Sequence, residues 1–218
     1  MSQSDFQPDS QLYSQLHSQP DKEQPARIGP NAIIRVGEAL LALENAEVAE
    51  RIFAVAGLSR YRQTPPSEMV PEAEVIALQQ ALRAELPVDA AAAVSRDAGL
   101  RTGDYLLAHR IPKPAQRVLK LLPPGPACRM LLKAVAKNAW TFVGSGHYGF
   151  EMGRPVRVSI AQCPICRDAT ASFPVCDFYA GAFERLCQSL VSPRAQVRET
   201  QCQALGAAAC QFEIDWRR

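Results

Sequence analysis

Residues 195–216 read AQVRETQCQALGAAACQFEIDW, and their pattern decides the fold class. Cys210, Phe212, Ile214 and Trp216 share one face of an extended chain, and Gln211, Glu213 and Asp215 share the other. That alternation belongs to a half-buried strand. Residues 195–202 read as its partner, with Gly206 midway between them as the turn of a hairpin. Upstream, Val156, Val158 and Ile160 alternate with Arg157, Ser159 and Ala161, which predicts another strand. Between these strands, Tyr179, Phe183, Leu186 and Leu190 fall on one side of a helix over 177–191.

Helical spacing dominates everything before Trp140. Ile33, Val36, Leu40 and Leu43 make a stripe over 31–44; Asn45 is placed to cap a second helix, with Val48, Ile52 and Val55 inward and Gly57 as its stop. Pro71 suits a first helical position before Val75, Leu78, Leu82 and Leu86. Asp89 is read as the cap of an Ala-rich helix reaching Tyr105 and His109, weakened by Gly99 and Gly103. Helices follow Pro112 and cover 127–139. Helices first, then a mostly antiparallel sheet with one long helix inserted, is an α+β pattern rather than alternating βαβ. Residues 1–27 hold six Gln and five Ser and few apolar side chains, which predicts a disordered tail.

The chain has 218 residues, 47% of them hydrophobic and 21% charged, enough apolar material for a packed core. No run of 18 uninterrupted apolar residues is present, so no membrane-spanning helix is expected. The 24 basic and 22 acidic residues leave a net charge of +2, without the overall basic excess of a nucleic-acid binder. The N-terminal stretch lacks the apolar core of a secretory signal, so a cytoplasmic location is expected, where thiols stay reduced.

Seven cysteines are present, and six of them fall between residues 163 and 210. In a reducing compartment such clustering points to metal or redox chemistry rather than to disulfides. Cys202 and Cys210 each lie four residues from Gly206, so the hairpin makes them cross-strand neighbours able to share a zinc ion. Glu199 joins them only if a bulge or strand end intervenes, because three residues along a flat strand reverse the face. Cys176, at the start of the long helix, completes a set of Cys176, Glu199, Cys202 and Cys210, a closed tetrahedral shell of structural type. A rival set uses the C-x-x-C pair Cys163 and Cys166 with Cys202 and Cys210, and that pair also matches a redox motif. Buried thiols without metal are the third reading. Cys128 and Cys187 sit in helical patterns and are read as core.

Gly144-Ser145-Gly146-His147-Tyr148-Gly149 matches G-x-G-x-x-G after a short apolar run. Dinucleotide binding requires a helix directly after the glycines. Gly153 and Pro155 break the chain there and a strand follows, so NAD(P)H is not expected. His109 and His147 are candidate axial ligands to a metal-bearing macrocycle, with surface or hydrogen-bonded roles as the alternative.

Three strings carry a resemblance: residues 27–32 (RIGPNA), 101–112 (RTGDYLLAHRIP) and 139–142 (AWTF). They resemble the BchJ family of bacteriochlorophyll-synthesis proteins, called 4-vinyl reductases. The resemblance extends from Arg27 to the C-terminus. It implies a helical N-terminal region over 28–119 and a 4-vinyl reductase, small-molecule-binding domain over 120–218. It also implies a fold like the ligand-binding domains of nitric-oxide signalling and Golgi-transport proteins. In aromatic-sensing transcription activators with this domain, zinc is held by Cys, Glu, Cys and Cys at intervals of 23, 3 and 8. Cys176, Glu199, Cys202 and Cys210 repeat those intervals, which leaves Cys163 and Cys166 without a role.

The family name implies reduction of a vinyl group on a divinyl chlorophyll precursor, whereas related domains mostly bind small hydrophobic molecules. With no nucleotide site read from the sequence and a closed metal shell, no catalytic residue is assigned. The expectation is a carrier or accessory factor for a magnesium-tetrapyrrole such as divinyl protochlorophyllide, with vinyl reductase and pigment-free assembly partner as alternatives. Expected walls are Trp140, Phe142, His147, Tyr148 and Phe150, with Tyr105 and His109 closing the other side. Arg110 or Arg154 would pair with the propionate. Contact with bacteriochlorophyll-biosynthesis enzymes, a site beside the photosynthetic membrane and a homodimer complete the expectations.

Overall fold

The computed structural model describes residues 25–216. Most of the tail expected over 1–27 lies outside them; Arg27 already belongs to a strand. In chain order the elements are β1 (Arg27–Ile28), α1 (Asn31–Leu43), α2 (Ala46–Val55), α3 (Arg60–Gln63), β2 (Val70–Pro71), α4 (Glu72–Glu85) and α5 (Val88–Tyr105). A π-helical turn (Leu106–Arg110) then leads to α6 (Lys113–Leu121), α7 (Pro124–Lys137), α8 (Trp140–Val143), β3 (His147–Glu151) and β4 (Val156–Ala161). The chain closes with α9 (Asp177–Leu190), β5 (Gln196–Gln201) and β6 (Cys210–Asp215). The class is α+β, with an antiparallel sheet in the order β3-β4-β6-β5.

Alternation does in the sheet what it promised. Val156, Val158, Ile160, Cys210, Phe212 and Ile214 are all buried, while Arg157 and Glu213, paired across strands, form an ion pair on the other face. α9 is buried along most of its length because it lies between this sheet and α5. A helix covered on two sides needs apolar residues nearly all round. The core is continuous from Ile28 to Ile214.

The crossing of α5 and α9 corrects the reading of Gly99 and Gly103 as weak points. A Cβ on Gly99 would stand 2.1 Å from the Phe178 carbonyl oxygen, and one on Gly181 would stand 2.4 Å from that of Arg96. The glycines let two backbones touch. Ion pairs Arg96–Glu184 (2.7 Å) and Arg185–Asp104 (2.6 Å) tie the same two helices together.

Other boundaries shift locally. Helix α5 begins at Val88 after Pro87, so Asp89 lies in its first turn rather than at its cap, where its charge still suits the helix dipole. In α2 the buried stripe is Ala49, Ile52 and Phe53, and Val55 turns outward because the larger Phe53 takes the inward side. Asn45 caps as expected: its Oδ1 accepts the Val48 amide at 2.9 Å. Asn45→Ala is expected to cost about 1 kcal/mol, measured as a fall in the thermal midpoint with the fold retained. Residues 140–143, the apolar run before the glycines, form a helical turn rather than a strand.

Candidate metal centre and adjoining cavity

Four chain segments deliver the cysteines to one place. β4 ends in a tight turn at Pro164–Cys166 that presents Cys163 and Cys166. Cys176 precedes the first turn of α9, Cys202 follows β5, and Cys210 opens β6. All five are buried. Sγ of Cys163 lies 3.6 Å from that of Cys176, Cys166 lies 3.4 Å from Cys210, and Cys176 lies 3.6 Å from Cys210. Cys202 lies 4.0 Å from Cys210. The ladder between β5 and β6 slips between Glu199 and Gln201, the irregularity that Glu199 needs to turn toward Cys202.

Two four-donor sets result: Cys163, Cys166, Cys176 and Cys210, and Cys176, Glu199, Cys202 and Cys210. Each set draws its ligand atoms within 4.8 Å of one another. A zinc tetrahedron with bonds of ~2.3 Å has edges of about 3.8 Å, so the spacing suits a single ion. The four-sulfur set has the tighter edges. Glu199 Oε2 accepts the Cys176 amide at 2.7 Å, while Oε1 is buried without a hydrogen-bond partner. Burial pushes its carboxyl up to about 8, which a cation nearby would oppose. Burial and the surrounding sulfurs hold the Cys176 thiol well above its ordinary value. Arg83 faces the cluster and donates from Nη1 to the Ile165 carbonyl inside the C-x-x-C turn, 2.9 Å away. Its burial disfavours the charge and the nearby sulfurs of Cys176 and Cys166 favour it. Cys128 and Cys187 are core, as read.

Arg83 also lines a cavity of about 560 Å³ between α4, α5 and residues 170–177. Leu82, Val88, Ala91, Phe173 and Val175 supply apolar walls. Three of its polar atoms, Gln79 Nε2, Arg83 Nη2 and Ser95 Oγ, are buried with no hydrogen-bond partner. Apolar walls with a few convergent donors are the makeup of a small-molecule site, and a buried donor left unpaired is costly. Asp177 lies at the same cavity; burial raises its carboxyl above the ordinary range, against the opposing charge of Arg96. None of Gln79, Arg83 and Ser95 was among the expected ligand residues. The one signal was a polar side chain at a core position, as Gln79 beside Leu78 in the α4 stripe.

The expected pigment walls do not come together. Phe142, Tyr148 and Phe150 interlock with Tyr179, Phe183 and Phe212, ring centroids 5.7–6.4 Å apart, as a packed aromatic core. Trp140 is 61% exposed, and His147, Arg110 and Arg154 are also at the surface. Tyr105 and His109 (centroids 4.8 Å apart) line a separate shallow hollow with Arg35 and Glu38. The glycine run makes a turn at Gly144 (φ +58°) and continues as β3. The anion it receives is internal. Glu72 accepts the Ser145 amide (3.3 Å) and hydroxyl (3.2 Å), and Arg167 pairs with it at 3.1 Å.

Comparisons with known proteins place these features in context. The family model of the 4-vinyl reductase domain matches residues 156–215. The "Bacteriochlorophyll synthase 23 kDa chain" of Cereibacter sphaeroides is 44% identical over 188 residues, spanning 86% of this chain and 90% of that one. Its namesake in Rhodobacter capsulatus is 40% identical over 196 residues, 89% of each. Among solved structures, an H-NOX protein from S. oneidensis in the Fe(II)NO ligation state has a TM-score of 0.49 at 12% identity, covering 88% of this chain and 100% of that one. The phenol-responsive sensory domain of the transcription activator PoxR with phenol has a TM-score of 0.40 at 16% identity, covering 66% and 74%.

Proposed function

This chain belongs to the family of the bacteriochlorophyll synthase 23 kDa chain, and from that premise we propose that it binds a magnesium-tetrapyrrole precursor in the cavity between α4 and α5 as an accessory factor of bacteriochlorophyll synthesis. The observation that carries this reading is the cavity of about 560 Å³ with three unpartnered donors on apolar walls. A chlorophyll precursor offers the matching chemistry: a flat apolar ring that water disfavours and a propionate that accepts hydrogen bonds. Arg83, Gln79 and Ser95 take the propionate, and Leu82, Val88, Ala91 and Phe173 shelter one edge of the ring. A structural zinc held by Cys163, Cys166, Cys176 and Cys210 braces this end of the fold; Glu199 and Cys202 form the layer around it. Arg83 spans both, offsetting thiolate charge on one side and facing ligand on the other. In this role the protein hands pigment to the enzymes of the same synthesis, other chains of the bacteriochlorophyll synthase among them.

The test is a titration with divinyl protochlorophyllide, with and without NADPH, followed by absorption. The wild type is expected to give a saturable spectral shift and no turnover. Ala92→Trp, which fills the cavity without removing a hydrogen bond, abolishes the shift; Gln79→Leu weakens binding by about tenfold, the loss of one buried hydrogen bond. No shift with the wild type overturns pigment binding. Conversion to the monovinyl product by this protein and NADPH alone replaces the accessory role with an enzymatic one.

A further inference from the structure

Between Asp104 and Glu151 lie seven of the 24 basic residues and none of the 22 acidic ones. This run holds α6 and α7, which pack on each other. In α6, Lys113, Arg117 and Lys120 recur at helical spacing on the solvent side; in α7, Arg129, Lys133 and Lys137 do the same. None of the six forms a salt bridge among the described residues. Elsewhere basic residues are commonly paired, as in Arg51–Glu85 and Arg62–Glu50.

Large apolar side chains stand among these charges. Leu121 is 86% exposed, Trp140 61%, Val118 51% and Met130 39%. They project from the two basic helices and the turn just after them, and each leaves apolar surface in water. No helix among the described residues is long and apolar enough to cross a membrane.

We propose that α6, α7 and Trp140 form a docking surface for an anionic lipid bilayer. Lysines and arginines meet the headgroup phosphates, and Leu121, Val118, Met130 and Trp140 enter the boundary between headgroups and acyl chains. Tryptophan favours that boundary because its ring is apolar with one polar edge. The aliphatic tips favour a bilayer over a soluble polyanion, which would satisfy the charges and leave the tips exposed. The inference stands on charge and exposure alone and does not depend on pigment binding.

The test uses the full chain, with Trp216→Phe so that Trp140 is the one fluorescent indole. Vesicles of phosphatidylcholine alone are compared with vesicles containing phosphatidylglycerol. Co-sedimentation and a blue shift of Trp140 emission are expected with the anionic vesicles only, weakened as salt rises from about 0.1 M to 1 M. Arg129→Glu, Lys133→Glu and Lys137→Glu together are expected to weaken partitioning by about a hundredfold. Leu121→Ser with Trp140→Ser weakens it by about tenfold. All these positions are exposed, and circular dichroism checks that the fold persists. Equal binding to neutral vesicles, no binding to anionic ones, or wild-type partitioning of the charge-reversed protein overturns the proposal. Binding to heparin without binding to vesicles also overturns it and assigns the surface to a soluble acidic partner.

Discussion

Cys176→Ser and Cys210→Ser are each expected to release the bound zinc and unfold the protein. These two sulfurs belong to both four-donor sets, so either substitution breaks the site whichever set holds the ion. The segments they join are the end of β4, the start of α9 and the β5–β6 hairpin. Structural zinc contributes about 10–16 kcal/mol of apparent binding energy in small domains, more than most folds hold in reserve. Zinc content by native mass spectrometry and the thermal midpoint with and without chelator measure the effect. Cys163→Ser and Cys202→Ser then separate the sets. The four-sulfur assignment expects Cys163→Ser to lose the metal and Cys202→Ser to keep it at lower stability; the reverse outcome restores the set with Glu199. A wild type that purifies without metal and melts identically in chelator removes the zinc from the account.

Gly99→Ala is the second large effect, about 3–5 kcal/mol of destabilisation, at the upper end of what overpacking costs. The added methyl meets the Phe178 carbonyl oxygen at 2.1 Å and the Ala182 nitrogen at 2.9 Å. Both are backbone atoms of a helix held between two layers, so no side chain can swing aside. Gly125, in the first turn of α7, has nothing within 4 Å of a built Cβ. The same change there is expected to be neutral or to stabilise by about 0.4–1 kcal/mol through the unfolded state. Urea denaturation of the pair measures the contrast, and equal effects at both positions would remove the close crossing as the reason for Gly99. Ser95 lies one helical turn before Gly99 on α5, so a surviving Gly99→Ala protein is also expected to bind ligand less well.

These two cases show where reading along the chain succeeds and where it stops. Val156, Val158 and Ile160 declare their strand because side chains alternate every residue whatever lies opposite. Asn45 declares its cap because the amide it accepts is three residues away. Cys202 and Cys210 were legible as neighbours because one turn brings them together, and the bulge at Glu199 followed from the need to reverse a face. Gly99 was misread because its meaning lies at Gly181, 82 residues further on. The glycine run was correctly denied its helix, yet Glu72, the carboxylate that fills it, sits 73 residues from Ser145. The aromatic side chains from Phe142 to Phe150 carried no mark to distinguish a packed core from a pocket wall.

Local order, the α+β class and the zinc-like spacing of four residues were therefore determined by the sequence itself, since each rests on interactions within one element or across one turn. The joining of Cys163 and Cys166 to that cluster, the cavity at Gln79, Arg83 and Ser95, and the unpaired basic faces of α6 and α7 were decided only by the tertiary structure. Burial, unmet hydrogen bonds and missing counter-charges are properties of what surrounds a side chain, and those surroundings come from distant parts of the chain.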